Sequence, residues 1–238
     1  MRRAVVRGYP YHITQRGTDQ KQVFLEDRDR FVYLGLLREA GERYHLSYEG
    51  YCLMSNHVHL VAIPSDDDSL QRGLKWAHSA YSRYFHSTHG GCGHLWQARY
   101  YSCLLDGPYH WHAMAYVEMN PVRAGLAKSP EEHAWSSARA HLGLGKAFLP
   151  LQDAAWNNDW DEITWRAQLV SMTGDLHFLK SVRTATKTGR PLAYEDTITR
   201  LEVELGWSLR PRKTGPKPKA LTASAGQELA QCSLEFGD

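Results

Sequence analysis

Cysteine is scarce and scattered in this chain. The four residues, Cys52, Cys92, Cys103 and Cys232, include no C-x-x-C pair. That argues against a disulfide framework and a four-cysteine zinc site, and fits a reducing compartment. No apolar run approaches the roughly 18 residues that a membrane helix needs. The basic start MRRAVVRGYP has no apolar stretch behind it, so neither a membrane span nor a signal peptide is expected. Net charge is nearly absent as well. Lys and Arg number 28 against 26 Asp and Glu, leaving +2, so any affinity for nucleic acid has to come from local patches. What is present is a globular mixture, 42% hydrophobic and 23% charged, with 8 Trp, 13 Tyr and 6 Phe. Such a chain has the material for a core and is not disordered throughout. Its 238 residues suffice for one large domain or two small ones.

Periodicity divides the chain. Residues 9–16 alternate as a strand does, and Gly17-Thr18-Asp19 ends them. Residues 27–44 carry Phe31, Leu34, Leu37 and Ala40 at helical spacing, with Asp27 as N-cap. Residues 46–54 and 57–63 read as two strands joined by Ser55-Asn56, followed by a helix over 69–86 and a glycine-rich loop. A fourth strand is predicted over 96–104. A third helix runs from Pro108 to about Asn120, where Pro121 stops or kinks it. This order is the split βαβ arrangement of an α+β, ferredoxin-like domain with an antiparallel sheet. The predicted organisation is a domain over 1–145, a mostly helical C-terminal extension over 146–219 with a basic segment, and a disordered tail over 220–238. From Leu205 to Lys219 there are five basic residues and no acidic one.

Four groups of residues could carry chemistry. His57 and His59 lie two apart on a strand, so their imidazoles share a face and could grip one divalent ion. They could equally be two histidines at a sheet surface. Their strand continues as Leu60-Val61-Ala62-Ile63, where titratable rings are costly without partners. Tyr116 and Asn120 lie four apart on one helical face. A tyrosine can act as a nucleophile and an amide oxygen as a hard ligand, although a core aromatic and a helix cap are the plainer readings. His86, His89, Cys92 and His94 could make a zinc site, but their spacing is too tight for the usual structural patterns. Basic residues, among them Arg16, Arg83 and Arg99, are interleaved with aromatics such as Trp96. That combination suits phosphates and unpaired bases, and also an ordinary solvated face.

The stretches YHITQRG (11–17), YCLMSNHVHLV (51–61), GHLWQARYYS (93–102), YVEMNPVRAGL (116–126) and WSSARAHLG (135–143), in this order and spacing, resemble the REP-associated tyrosine transposases. These are single-tyrosine HUH transposases of the insertion-sequence-200-like family. The terminal stretch 189–219 is similar to the end of one subgroup, so the resemblance spans nearly the whole chain.

The resemblance implies the HUH endonuclease fold and a transposase that cuts and rejoins single-stranded DNA through a 5′-phosphotyrosine, at hairpins of repetitive extragenic palindromes. It implies Tyr116 as the nucleophile, and His57, His59 and Asn120 as ligands of Mg²⁺ or Mn²⁺. Some relatives carry Gln at the last position, so the reach of Asn120 depends on the kink at Pro121. The DNA-contact candidates are His12, Gln15, Arg16, Arg83, Trp96, Gln97, Arg99, Arg123, Arg210, Arg212 and Lys213. The implied setting is cytoplasmic and nucleoid-associated, with no membrane partner. A monomer is favoured, and a homodimer that exchanges the tyrosine helix is the other form found among relatives. A domesticated, non-catalytic palindrome-binding protein is the alternative of a different class. A metal-dependent hydrolase with an incidental Tyr116 is a third.

Overall fold

The computed structural model describes residues 5–152, 154–172 and 175–210. Strand β1 (Tyr11–Arg16) leads through helix α1 (Asp27–Tyr44) to β2 (Leu46–Leu53) and β3 (His57–Pro64). Helix α2 (Ser69–His89) then crosses to β4 (Tyr101–Leu104). The strands form one sheet in the order β2-β3-β1-β4, and every neighbouring pair is antiparallel. This is the α+β split βαβ sheet expected from the sequence.

Helix α1 covers the predicted 27–44, but its cap is one residue earlier than Asp27. Glu26 is the N-cap, and Asp29 reaches back to accept from the backbone amides of Leu25 and Glu26 at 2.8 and 3.1 Å. The predicted inward stripe holds for Leu34, Leu37 and Ala40, which are buried. Phe31 is half exposed and packs edge-on against Trp135 and Phe148 instead. Strand β4 is shorter than predicted. Trp96 makes an isolated bridge to Gly17, and Gln97 N donates to Arg16 O at 2.9 Å. The chain then leaves the ladder until Tyr101, and the Gln15 side chain bonds Ala98 O there instead, at 2.8 Å.

The two faces of the sheet are covered differently. Tyr11, Ile13, Val58, Leu60 and Ala62 face α1 and α2 in the larger core. By the alternation of strand residues, His12, His57, His59 and Val61 face the other way. That second face is roofed by α3 (Pro108–Glu118) and by helices of the extension, α7 (Glu162–Ser171) and α8 (Leu176–Thr188). Between α3 and α7 lie the single turns α4 (Asn120–Arg123) and α5 (Ala138–His141) and the short α6 (Ala154–Asp159). The last helix is α9 (Glu195–Leu205). The extension is helical, as expected, and it also closes an edge. Leu192 N donates to Leu104 O at 2.8 Å, and Asp106 N donates to Leu192 O at 3.0 Å.

Arg210 is not the free cation that its local sequence indicates, because α9 supplies Glu195 and Glu202 as ion-pair partners. Arg212, Lys213 and the tail over 220–238 lie outside the described residues. Among the described residues, no helix is long and apolar enough to cross a membrane.

Helix α3 lies close to β2 because position 50 is glycine. A Cβ on Gly50 would stand 2.2 Å from Met114 Sδ and 3.2 Å from Ser137 Oγ. Gly50→Ala should therefore destabilise the fold by about 1–3 kcal/mol through overpacking. Met114→Ala added to it should restore part of that loss. Urea unfolding of the two single variants and the double variant measures this coupling. Strictly additive effects would show that the contact does not set the spacing.

Candidate active site

Three imidazoles and one phenol share the roofed face. In the β1–β3 register His59 pairs with Thr14 and His57 with Arg16, while His12 sits opposite Val61. The rings of His57 and His59 meet edge-to-face at 5.0 Å, and those of His12 and His59 stack at 5.1 Å. Tyr116, from α3, presents its ring edgewise at 5.6 Å to both His12 and His59. The structure brings the histidine pair and Tyr116 together within a single chain.

His12 and His59 are buried and His57 is half-buried, and this decides their charge. Burial, and then the Arg123 guanidinium, lower His12 to about 3. Burial and Arg16 lower His57 to about 4. Burial, the two neighbouring imidazoles and the arginines hold His59 well below the ordinary range. All three are neutral at physiological pH, the form that binds metal.

His57 also fits a metal in its tautomer. Asn56 Nδ2 donates to Gln20 O at 3.1 Å, which turns Asn56 Oδ1 toward His57 Nδ1 at 2.6 Å. That ring nitrogen therefore carries the hydrogen, and Nε2 is left with a bare lone pair.

Asn120 is placed differently from the expectation. Pro121 has no N–H to continue α3. The helix ends at Glu118, Met119 caps it, and α4 starts afresh at Asn120. Asn120 Oδ1 accepts from Arg123 Nη2 at 2.8 Å, and the same nitrogen donates to Tyr116 O at 2.6 Å. The Arg123 guanidinium lies 4.2 Å from the centre of the Tyr116 ring. One lone pair of Asn120 Oδ1 is left for a cation, against the charge of Arg123. Two borderline imidazole donors and one hard oxygen shared in this way fit a divalent ion held mainly by the histidines.

The remaining candidates fall into separate groups. His12 is buried, and both of its ring nitrogens have protein partners: His59 Nδ1 at 2.9 Å and Thr186 Oγ1 at 2.7 Å. Gln15 points to the opposite face of the sheet. With Trp96, Gln97, Arg99, Lys75 and His78 it lines a cavity of about 1110 Å³. Arg16 and Arg83 are exposed. His89 is not part of a zinc site with Cys92. Its Nε2 lies 2.8 Å from Asp29 Oδ1, and Cys92 and His94 are exposed. Glu26, Asp29 and His89 do approach within 4.8 Å of one another. Asp29 is already taken there by the cap of α1 and by Tyr84, whose hydroxyl donates to it at 3.0 Å.

Two residues near Tyr116 and His12 are not among the sequence candidates. Arg183, on α8, brings Nε to 3.5 Å from the Tyr116 hydroxyl. Thr186, one turn further along, meets His12. The visible hint is the apolar stripe Phe178, Leu179, Val182 and Ala185, with the polar Thr186 beside it. Below Tyr116, the buried Glu118 fastens α3 to α5 and α7. Its Oε1 accepts from Ser137 Oγ at 2.5 Å and from His141 Nδ1 at 2.6 Å, and its Oε2 accepts from Trp165 Nε1 at 2.8 Å.

A split βαβ sheet carrying a histidine pair beneath a tyrosine-bearing helix is the architecture expected of the tyrosine transposases. Residues 5–120 match the family model described as Transposase IS200 like, and this half of the chain belongs to the IS200-like transposase family. The match includes His57, His59, Tyr116 and Asn120. It ends before Arg123, Arg183 and Thr186. Two solved structures are similar to the chain. One is a REP-associated tyrosine transposase bound to a REP hairpin, with 17% identity over 64% of this chain and 91% of that one, at a TM-score of 0.49. The other is a candidate transposase from Deinococcus radiodurans R1, with 23% identity over 53% of this chain and 98% of that one, at a TM-score of 0.35. No curated protein sequence matches the chain.

The buried neutral histidines predict acid sensitivity. His12, His57, His59 and also His78 are lowered in the native state, while the unfolded chain protonates near 6.5. The unfolded state therefore binds more protons below that pH. Stability is fully present above about 6.5 and falls as pH drops toward 4. Each fully buried ring contributes a slope approaching about 1.4 kcal/mol per pH unit. Carboxylates such as Asp29, lowered below 3.8, act beneath this window. Urea unfolding at pH 7, 5.5 and 4.5 measures the slope, and a flat profile would mean that the rings ionise within the fold.

Proposed function

We propose that this IS200-like transposase nicks and rejoins single-stranded DNA by transesterification at Tyr116. The observation that supports it best is the edgewise seat of Tyr116 on His59, with His57 beside it, within one chain. The Tyr116 oxygen attacks phosphorus, the P–O bond to the 3′-oxygen breaks, and a 5′-phosphotyrosine and a free 3′-hydroxyl result. The phosphoester energy stays in the tyrosyl link, so the 3′-hydroxyl of another strand can reverse the reaction at a new junction.

His57 and His59 would hold the divalent metal, Mg²⁺ or Mn²⁺, with Asn120 as the weaker third donor. When bound, such an ion neutralises charge developing on the scissile phosphate. Arg183 holds its Nε 3.5 Å from the Tyr116 hydroxyl, where its charge would meet the incoming phosphate. Arg123 fixes the ring from its face and the helix end from its carbonyl. Because histidine pair and tyrosine come from the same chain, a monomer suffices for cleavage. The exposed arginines Arg16 and Arg83 are candidates for phosphate contacts. The cavity between Gln15, Trp96, Gln97 and Arg99 is a candidate for unpaired bases beside a REP-like hairpin.

The test uses a hairpin-bearing single-stranded oligonucleotide, with adducts resolved on denaturing gels. Wild type with Mg²⁺ or Mn²⁺ should form a covalent protein–DNA adduct. Tyr116→Phe should bind the DNA and form none. Cleavage without adduct by wild type would favour the hydrolase, and binding without cleavage the palindrome-binding protein. Loss of Mn²⁺ affinity should rank His59→Ala and His57→Ala above Asn120→Ala, because Arg123 already occupies part of the amide oxygen. Calorimetric titration of the metal measures that order, and a reversed order would make Asn120 the principal ligand.

A further inference from the structure

We propose that Thr186, from the C-terminal extension, is a positioning residue that fixes the tautomer of His59 through His12, so that His59 Nε2 faces the site without a hydrogen. This rests on the reading of His57 and His59 as the metal-holding pair. It adds a role for α8, which lies beyond the residues that match the family.

The Thr186 hydroxyl has one hydrogen, and it goes to Val182 O, one turn back in α8, at 2.8 Å. Its oxygen can then only accept. His12 Nδ1, 2.7 Å away, must be the donor. A neutral imidazole carries one N–H, so His12 Nε2 is a bare lone pair. It lies 2.9 Å from His59 Nδ1, which must therefore carry the hydrogen of that contact. Nδ1 holds the only N–H of the neutral His59 ring, and Nε2 is left free to ligate.

The surroundings agree with this direction. Cys103 Sγ lies 3.3 Å from Thr186 Oγ1, and burial pushes its thiol up to about 12, so it keeps its hydrogen. The threonine oxygen then gives one hydrogen bond and accepts two, which is its full capacity. The opposite direction would turn the hydroxyl from Val182 to His12. Both rings would become Nε2–H tautomers, and a protonated nitrogen would face the metal position. His57 reaches the same bare-Nε2 state by a separate route, through Asn56 and Gln20. The two ligands are thus set from opposite ends of the chain.

The experiment uses the full chain, labelled with ¹⁵N at histidine and free of metal, at neutral pH. Long-range ¹H–¹⁵N spectra separate the two tautomers. His12 and His59 should both be Nδ1–H. A wild-type His59 in the Nε2–H form overturns the proposal without any variant. Thr186→Val keeps the shape and removes the acceptor. It should shift His12 and His59 toward Nε2–H and weaken Mn²⁺ binding about 10–100-fold, the range for lost outer partners of metal ligands. Thr186→Ser retains the acceptor and should keep both the tautomers and the affinity. A Thr186→Val protein with wild-type spectra and wild-type Mn²⁺ affinity overturns the relay. If Thr186→Val does not fold, the wild-type spectrum and the serine variant still decide. If His59→Ala leaves Mn²⁺ binding unchanged, the metal reading itself has failed, and the tautomer spectrum shows separately whether the relay exists.

Discussion

The exclusion of water from one face of the sheet governs the rest of the site. Three imidazoles on β1 and β3 lie beneath α3 and α8, and that cover holds them neutral at a pH where exposed histidines begin to charge. A neutral ring has one hydrogen and one lone pair, so each contact in the pocket has a direction. Tyr116 is drawn into the same enclosure, with its ring against two imidazoles and a guanidinium over its face. The cations nearby are Arg16, Arg123 and Arg183, and among the described residues no carboxylate hydrogen-bonds the rings of His12, His57 or His59. This is an electrostatic setting that suits an anion.

The cover is set by small features of β2. A bulge between Tyr48 and Gly50 shifts the register against β3, and the missing side chain at Gly50 lets Met114 of α3 fall against the strand. Helix α3 is buried almost all round, Ala113 through Glu118, because sheet and extension hold it from both sides. A tyrosine at its end is therefore positioned by packing as rigid as a core.

Much of this was legible in the sequence, for reasons that can be named. Strand alternation put His57 and His59 on one face, which is a local regularity. The split βαβ order followed from the order of local periods alone. What was hidden depends on contacts distant in sequence. His12 reads as a strand residue near DNA until Thr186, 174 positions away, and His59 take up its nitrogens. Arg210 reads as an unneutralised cation because Glu195 and Glu202 lie on the preceding helix rather than in its own segment. The break at Met119 was half visible: proline marked the place, but the capture of Asn120 by Arg123 depends on a side-chain geometry that spacing does not encode. Strand β4 was read too long because Trp96 and Gln97 do touch β1, before the chain leaves the ladder.

The buried carboxylate of Glu118 has a consequence for how such a chain can change over time. It sits two residues beyond Tyr116, and its three partners, Ser137, His141 and Trp165, all come from segments after the family-matched region. A buried charge stripped of its partners is among the costliest defects a fold can carry. The two parts of the protein are therefore not interchangeable modules. A recombination joint placed just after residue 120 would pass on Tyr116, the histidine pair and a buried carboxylate without its three partners, so the segments on either side of that joint are coupled in inheritance.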